Sequence, residues 1–410
     1  MIQQRRVGLY ALLTADVFSA FGSRFSVVAI PWLVLITTGS PAKMGLVAAA
    51  EMIPYLMTSV LAAPIADRFG MRRTSICCDL SSAAAMAIVA ATPDFGFWQL
   101  VVLIAVAGGM RGVGDRVKHV LLRPVTAESG IAMIRVTSAY EALNRTAGLI
   151  GAPLAGILVA TLGARQTIWL DAATFAVAAV LVGTLVRPAP EPQDAAPVRE
   201  PYLKALRGGF SFLRADKLLL GMISTLFLLN LFQHATSTVL LPLWVQDVFG
   251  SPTKLGIILG CFAAGSLAGN VVFTIFATKL PQMLSFFIGA VIGGAPRILV
   301  IGISDSLWVV LAVTFFAGFG MASVNPIVGA VLYERIPAEL QTRVFGVVAA
   351  VAVSGIPIGS ALAGVAASNV GLRPTILVGG AVLLALTLIP LIRHHRQPVA
   401  EPAQPTGDPR

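Results

Sequence analysis

Apolar residues run along this chain in long blocks, separated by short polar punctuation. A helix needs roughly 20 apolar residues to cross a bilayer core. Twelve blocks approach or exceed that length: about 8–37, 43–66, 74–93, 97–117, 137–162, 167–186, 217–246, 253–277, 283–303, 306–332, 341–369 and 373–393. They are too long for barrel strands and do not alternate, so lipid leaves the helix as the structure that satisfies their backbone amides. The predicted fold is all-α and integral to the membrane, with twelve transmembrane helices.

The rhythm breaks once. Residues 187–216 open with the Pro-rich Arg187-Pro188-Ala189-Pro190-Glu191-Pro192, a solvated linker. Leu203, Leu206, Phe210 and Leu213 then form one apolar stripe flanked by Lys204, Arg207 and Arg214. That pattern suits a short amphipathic helix on the membrane surface, or one capping the second bundle. The polar, Pro-rich end of the chain predicts a disordered tail.

The punctuation repeats. Gly39-Ser40-Pro41-Ala42-Lys43-Met44-Gly45 returns 211 residues later as Gly250-Ser251-Pro252-Thr253-Lys254-Leu255-Gly256, and Pro31 and Pro242 share that offset. Gly151, Leu154, Ala155, Gly156, Gly163, Arg165, Thr167 and Ile168 return 208 residues later as Gly359, Leu362, Ala363, Gly364, Gly371, Arg373, Thr375 and Ile376. The halves are therefore related, and the prediction is two pseudo-symmetric six-helix bundles, 1–186 and 217–393. A cytoplasmic linker, 187–216, joins them, and a tail, 394–410, follows.

Composition agrees: 57% of residues are hydrophobic and 12% charged, with mean hydropathy +0.86. Soluble domains carry about 25% charged residues. Placing both termini in the cytoplasm puts 21 of the 29 Lys and Arg on the inner side and leaves Lys43, Arg165, Lys254 and Arg373 outside. This distribution accounts for the net charge of +10 and argues against a nucleic-acid partner, whose site would gather basic residues in one domain. The first apolar block is too long for a cleavable signal. Cys77, Cys78 and Cys261 lie in or beside helices as small apolar side chains. The His show no metal-ligand spacing, and no cofactor is expected. Neither a phosphate-binding Gly-rich loop nor a nucleophile–base set is present, which argues against ATP-driven transport and against an enzyme.

Charge inside the bilayer is costly and needs a reason. The first half holds Asp16, Glu51, Asp79, Asp115, Glu141 and Asp171 within helices; the second holds essentially no acid. Proton coupling is therefore expected in the first bundle, because a carboxyl facing a dry cavity can keep a proton until the site reopens. The candidates are Asp16, Glu51, Arg111, Asp115, Glu141 and Arg145. Asp16 shares a helix face loosely with Arg24, Glu141 and Arg145 have the spacing of a helical ion pair, and Arg111 and Asp115 have it in reverse order. Asp171 is expected at the start of helix six as an interfacial or capping carboxyl. Asn230, Gln233 and His234 make one polar patch on an otherwise apolar helix. Arg297 is expected to reach outward to the interface or to a lipid headgroup.

Asp67-Arg68-Phe69-Gly70-Met71-Arg72-Arg73 resembles the signature loop of the major facilitator superfamily, with Ala63 at the leading Gly. Gly148, Gly151, Ala152, Pro153 and Gly156 resemble the Gly-Pro motif of its antiporter branch. Pro31-Trp32-Leu33-Val34, Arg343-Val344-Phe345-Gly346, Gly355-Ile356-Pro357-Ile358-Gly359 and Ala363-Gly364 resemble the efflux subgroup that contains macrolide and enterobactin exporters. The resemblance implies a gate in which Asp67 latches neighbouring helices, with Arg68, Gly70, Arg72, Arg73 and Arg116 around it. It implies a cavity among helices one, four, seven and ten, with Arg24, Trp32, Asn230, Phe232, Gln233, His234 and Asn325 as lining candidates. It implies rocking of the halves at Gly148, Gly151, Pro153 and Gly156 and at Gly355, Pro357, Gly359 and Gly364. The expected function is export of amphiphilic small molecules by alternating access, coupled to protons, by a monomer among the lipids of a bacterial plasma membrane. A dedicated siderophore exporter, a lipid translocator and a non-transporting membrane sensor are the alternatives.

Overall fold

The computed structural model describes residues 2–92, 96–186, 210–214, 216–277 and 279–396. Most of the expected linker, with Leu203 and Leu206 of its stripe, lies outside the described residues, as do residues 397–410; residues 394–396, expected in the tail, continue the last helix instead. Among the described residues, twelve helices are long and apolar enough to cross a membrane. We number them α1 (Ile2–Thr38), α2 (Pro41–Phe69), α3 (Met71–Ala91), α4 (Phe97–Ser129), α5 (Met133–Leu162), α6 (Ala164–Leu185), α7 (Lys217–Phe249), α8 (Pro252–Phe276), α9 (Gln282–Ile303), α10 (Leu307–Arg335), α11 (Ala338–Val370) and α12 (Leu372–Arg396).

Local chemistry sets the breaks. The repeated heptads place Pro41 and Pro252 at the first turns of α2 and α8, where a missing N–H costs nothing. Gly163 and Gly371 turn the chain between α5 and α6 and between α11 and α12 at φ 94° and 96°, a region that Cβ-bearing residues avoid. Asp216 caps α7: its carboxylate accepts the Leu218 and Leu219 amides at 2.9 and 3.2 Å and pairs with Arg335 at 3.0 Å. Burial works against this charge, but the Leu219 amide, Arg335 and the Leu218 amide outweigh it. They hold the carboxyl below its ordinary value of 3.8.

One boundary differs from expectation. The apolar count ends helix four near 117, whereas α4 runs to Ser129. Lys118, expected on the inner side, is buried at 2.8 Å from Asp79 of α3. The paired charge lets the helix continue.

Two helices of the second half are interrupted where the cavity will lie. Pro242 has no N–H to give the Thr238 carbonyl, and α7 widens into a π turn over Thr236–Leu240. Gly294, followed by Ala295-Pro296, breaks α9 and frees the carbonyl of Gly293.

Helices α1–α6 pack mainly on one another, with α2 on α4 and α6 on both α1 and α3. The second half repeats the scheme, with α8 on α10 and α7 on α11. The halves meet along α2 with α11 and α5 with α8. At each seam a heptad glycine faces a glycine of the second repeat. A Cβ on Gly364 would lie 3.1 Å from the Gly45 Cα, and one on Gly156 would lie 3.0 Å from the Gly256 Cα. Two hydrogen bonds, Ala42 N–H to Ser368 Oγ at 2.9 Å and Thr253 Oγ1 to the Gly156 carbonyl at 3.4 Å, join the halves at this same end. It is the end opposite the chain termini.

Candidate functional site

A cavity of about 610 Å³ lies between the halves, on the termini side of the glycine seams. Helices α1, α2, α5, α7, α8, α9, α10 and α11 all contribute to its wall. Much of the wall is apolar, through residues such as Val27, Ile30, Pro31, Leu259, Met321 and Ile356.

The polar wall of the second half grows from the two helix interruptions. The freed Gly293 carbonyl accepts the Gln233 amide at 2.8 Å. Arg297, three residues beyond the break, donates to Gln233 Oε1 at 2.8 Å and to Ser237 Oγ, in the π turn, at 3.1 Å. Its guanidinium stands 4.4 Å from the centre of the Phe262 ring. The residue is 4% exposed and lines the cavity, and its Nε has no partner. This corrects the expectation that Arg297 reaches toward lipid. The helix break turns the residue inward, where Gln233 and Ser237 wait for it. His234, Thr238, Asn325 and Ser360 also line the cavity, while Asn230 adds its amide and donates to the Ala352 carbonyl at 2.8 Å.

In the first half, glycines again decide which charges meet. Gly108 and Gly112 on α4 pack against the backbone of Glu51 and Tyr55 on α2. This close approach lets Arg111 bond Glu51 at 2.7 Å, and Asp115 receive the Tyr55 hydroxyl at 3.3 Å. Arg111 thus pairs across helices, and not with Asp115 on its own helix. Asp171 is 1% exposed, takes a hydrogen bond from Ser26, and leaves Oδ1 without a partner. Glu51, Arg111, Asp171 and Ser26 border one small void beside the main cavity. Asp171 is therefore a core carboxyl and not an interfacial cap: α6 begins at Ala164, so the residue lies two turns inside.

Of the other coupling candidates, Asp16 accepts the Asn144 amide at 3.0 Å, below the cavity wall. Glu141 and Arg145 face the cavity as a loose pair at 3.7 Å, both well exposed. Arg24 also lines the cavity. Its side chain lies along Gly148 and Gly151 of α5 and makes no hydrogen bond or ion pair among the described residues. Trp32 and Phe232 do not line it: Trp32 is 6% exposed in the core, and Phe232 packs toward Gly379 of α12. Each sits about 100° round its helix from a lining neighbour, Pro31 and Gln233 respectively.

In the loop between α2 and α3, Gly70 turns at φ 82°. Arg72 donates to the Val182 and Gly183 carbonyls, tying α3 to the end of α6. Arg68 lies over Phe69, and Arg116 is exposed. Arg73 is exposed as well. The Asp67 side chain, expected as the latch, and that of Arg343 lie outside the described residues.

The glycine arrays divide by helix face. Gly156 and Gly364 sit on the seams between halves, and Pro153 packs on Gly260 of α8. Gly355 and Gly359, with Pro357 between them, press instead on Phe227 and Leu231 of α7 within the second half. Five residues separate 151 from 156 and 359 from 364, a rotation of about 140° onto another face.

A family profile described as transmembrane secretion effector matches residues 5–406. The multidrug efflux pump Tap of Mycobacterium tuberculosis is 28% identical over 387 residues, covering 92% of this chain and 91% of that protein. Macrolide efflux protein A of Streptococcus pyogenes is 21% identical over 411 residues, covering 96% and 97%. Among solved structures, the nucleoside transporter NupG superposes with TM-score 0.79 at 10% identity, over 95% of this chain and 99% of that one. A bacterial homologue of the human lysosomal transporter Spinster gives 0.74 at 13% identity, over 96% and 97%.

Proposed function

We propose an export function for this chain, which belongs to the transmembrane secretion effector family: it carries amphiphilic small molecules out of a bacterial cell by alternating access, driven by proton entry. The observation that carries the reading is the cavity itself. It lies between the halves, is bounded at one end by glycine seams, and joins apolar surface to polar groups from both halves. Pockets of this size and mixture suit small organic molecules. Tap and macrolide efflux protein A, named for efflux, match this chain over nearly its whole length.

The basic residues favour a cytoplasmic termini end. The state described is then one in which the outer seams are shut and the cavity belongs to the inner side. Separation of α2 from α11 and of α5 from α8 at the seams would open the other side. Asp67 is assigned the latch that holds the inner end in that opposite state. Proton coupling is assigned to Glu51, Arg111 and Asp171. A proton on Glu51 weakens its hold on Arg111, leaving the guanidinium free to turn toward the neighbouring Asp171. Ser26, on cavity-lining α1, reports the change to the substrate wall.

The test is flux in proteoliposomes with an imposed pH gradient, using a panel of cationic, neutral and anionic amphiphiles. We expect flux of at least one compound that stops with a protonophore, and Asp171→Asn should uncouple flux from the gradient. Flux indifferent to the gradient would refute proton drive, and no flux across the panel would refute export.

A further inference from the structure

We propose that the cavity is built for amphiphiles bearing an anionic group, a carboxylate, sulfonate or phosphate, held between Arg24 and Arg297. The inference rests on the cavity being the transport site proposed above, and it names the class of compound that site takes.

The charge of the wall carries the argument. Its acids are already engaged: Glu51 by Arg111 at 2.7 Å, and Glu141 by Arg145 at 3.7 Å. Two cations remain, one from each half. Arg297 is 96% removed from solvent and bonded to neutral partners, and its Nε has none. Among the described residues Arg24 makes no hydrogen bond or ion pair, and its side chain lies along Gly148 and Gly151 at the cavity wall. His234 lines the same cavity as Arg24 and Arg297. Among the described residues the second-half carboxylates Asp216, Asp247, Asp305 and Glu334 lie at helix ends or between helices, and none pairs with Arg297. An isolated cation at this depth is expensive, and here two face one space. Guanidinium presents a planar fork that fits carboxylate, sulfonate or phosphate oxygens in pairs. Phe262, beneath Arg297, and the apolar wall of Ile30, Leu259 and Ile356 would take the hydrocarbon part of the same molecule. A cationic amphiphile would meet two like charges instead. Because the arginines belong to different halves, a bound anion would also join the halves across the cavity.

The test is equilibrium dialysis of the protein in nanodiscs against three matched probes: naphthylacetate, naphthylacetamide and naphthylethylamine, with empty discs as blank. We expect naphthylacetate to bind about tenfold more tightly than the amide, as hydrogen bonds to a charged group allow, and the amine to bind most weakly. Arg24→Gln and Arg297→Gln should each lower naphthylacetate affinity about tenfold and leave amide binding unchanged, while Arg297→Lys should restore part of the loss. Arg24→Gln breaks no hydrogen bond in the structure, so it carries the test should Arg297→Gln fail to fold. Naphthylacetate bound no more tightly than the amide, or bound equally by wild type and Arg24→Gln, overturns the proposal. Dialysis reads binding without transport. An anion preference in a protein that shows no flux across the proteoliposome panel refutes export and leaves this inference standing. Export of the amine with no anion preference overturns this inference alone.

Discussion

Removing either charge of the Asp79–Lys118 pair should destabilise the first bundle far more than removing both. The two groups lie 2.8 Å apart, with side chains 4% and 1% exposed. At an effective dielectric of 20 their attraction is about 6 kcal/mol, which the desolvation of two ions largely cancels. The pair is therefore near neutral as a unit, and either ion alone is a burden of about 3–5 kcal/mol. The two single losses are unequal. Asp115 and Asp16 also act on Lys118, so Asp79→Leu leaves the cation some compensation and should fall at the low end of that range. Lys118→Met leaves Asp79 without its ion-pair partner and beside the like charges of Asp115 and Asp16, and should fall at the high end. Asp79→Leu/Lys118→Met should lose less than either single change. Equilibrium unfolding in mixed dodecyl maltoside and sodium dodecyl sulfate micelles measures all four proteins. Single losses below about 1 kcal/mol, the range of exposed pairs, would refute the burial argument. A double variant as damaged as the sum of the singles would refute the pairing.

Gly156→Ala and Gly364→Ala should each open their seam, because the added Cβ would stand 2.7 and 2.6 Å from the Pro252 and Pro41 carbonyls. Overpacking of about 1–3 kcal/mol predicts a clear fall in cross-linking between cysteines placed at the heptad end of α5 and α8, or of α2 and α11; unchanged cross-linking contradicts it. Asp216→Ala should cost about 1 kcal/mol as a lost cap, read by the same micelle unfolding. Because folding lowers the Asp216 pKa below 3.8, its contribution is full above that value and is lost as pH falls through the lowered one. Asp216→Ala should therefore flatten the acid limb of the stability profile, and an unaltered limb would reject the assignment. Gln233→Leu should cost about 1–3 kcal/mol, since it orphans the Gly293 carbonyl and one Arg297 donor together; a thermal shift near zero would show that water replaces it.

The helices were legible because their cause is local: an apolar run has no other way to satisfy its amides in lipid. The cavity was legible in part. Asn230, Gln233 and His234 share a face by spacing alone, and Arg24 and Asn325 join them on the wall. Trp32 and Phe232 were misplaced because size and apolarity say nothing of which side of a helix a residue occupies. Asp171 was missed because its partner, Ser26, is 145 residues away, and no local pattern links them. Arg297 did leave a signal. Gly293-Gly294-Ala295-Pro296 announces a broken helix, and a charge just past a break in the membrane faces protein or water, since lipid cannot solvate it.

The seams have one more consequence. Gly45 meets Gly364, and Gly256 meets Gly156; each half supplies one heptad glycine and one glycine of the second repeat. The two contacts are thus one contact made twice about a two-fold axis, the arrangement of an isologous dimer. A single half carries both sides of its own joint. Strain introduced at one seam has an equivalent counterpart at the other, and matched changes at both would keep the molecule balanced about its axis.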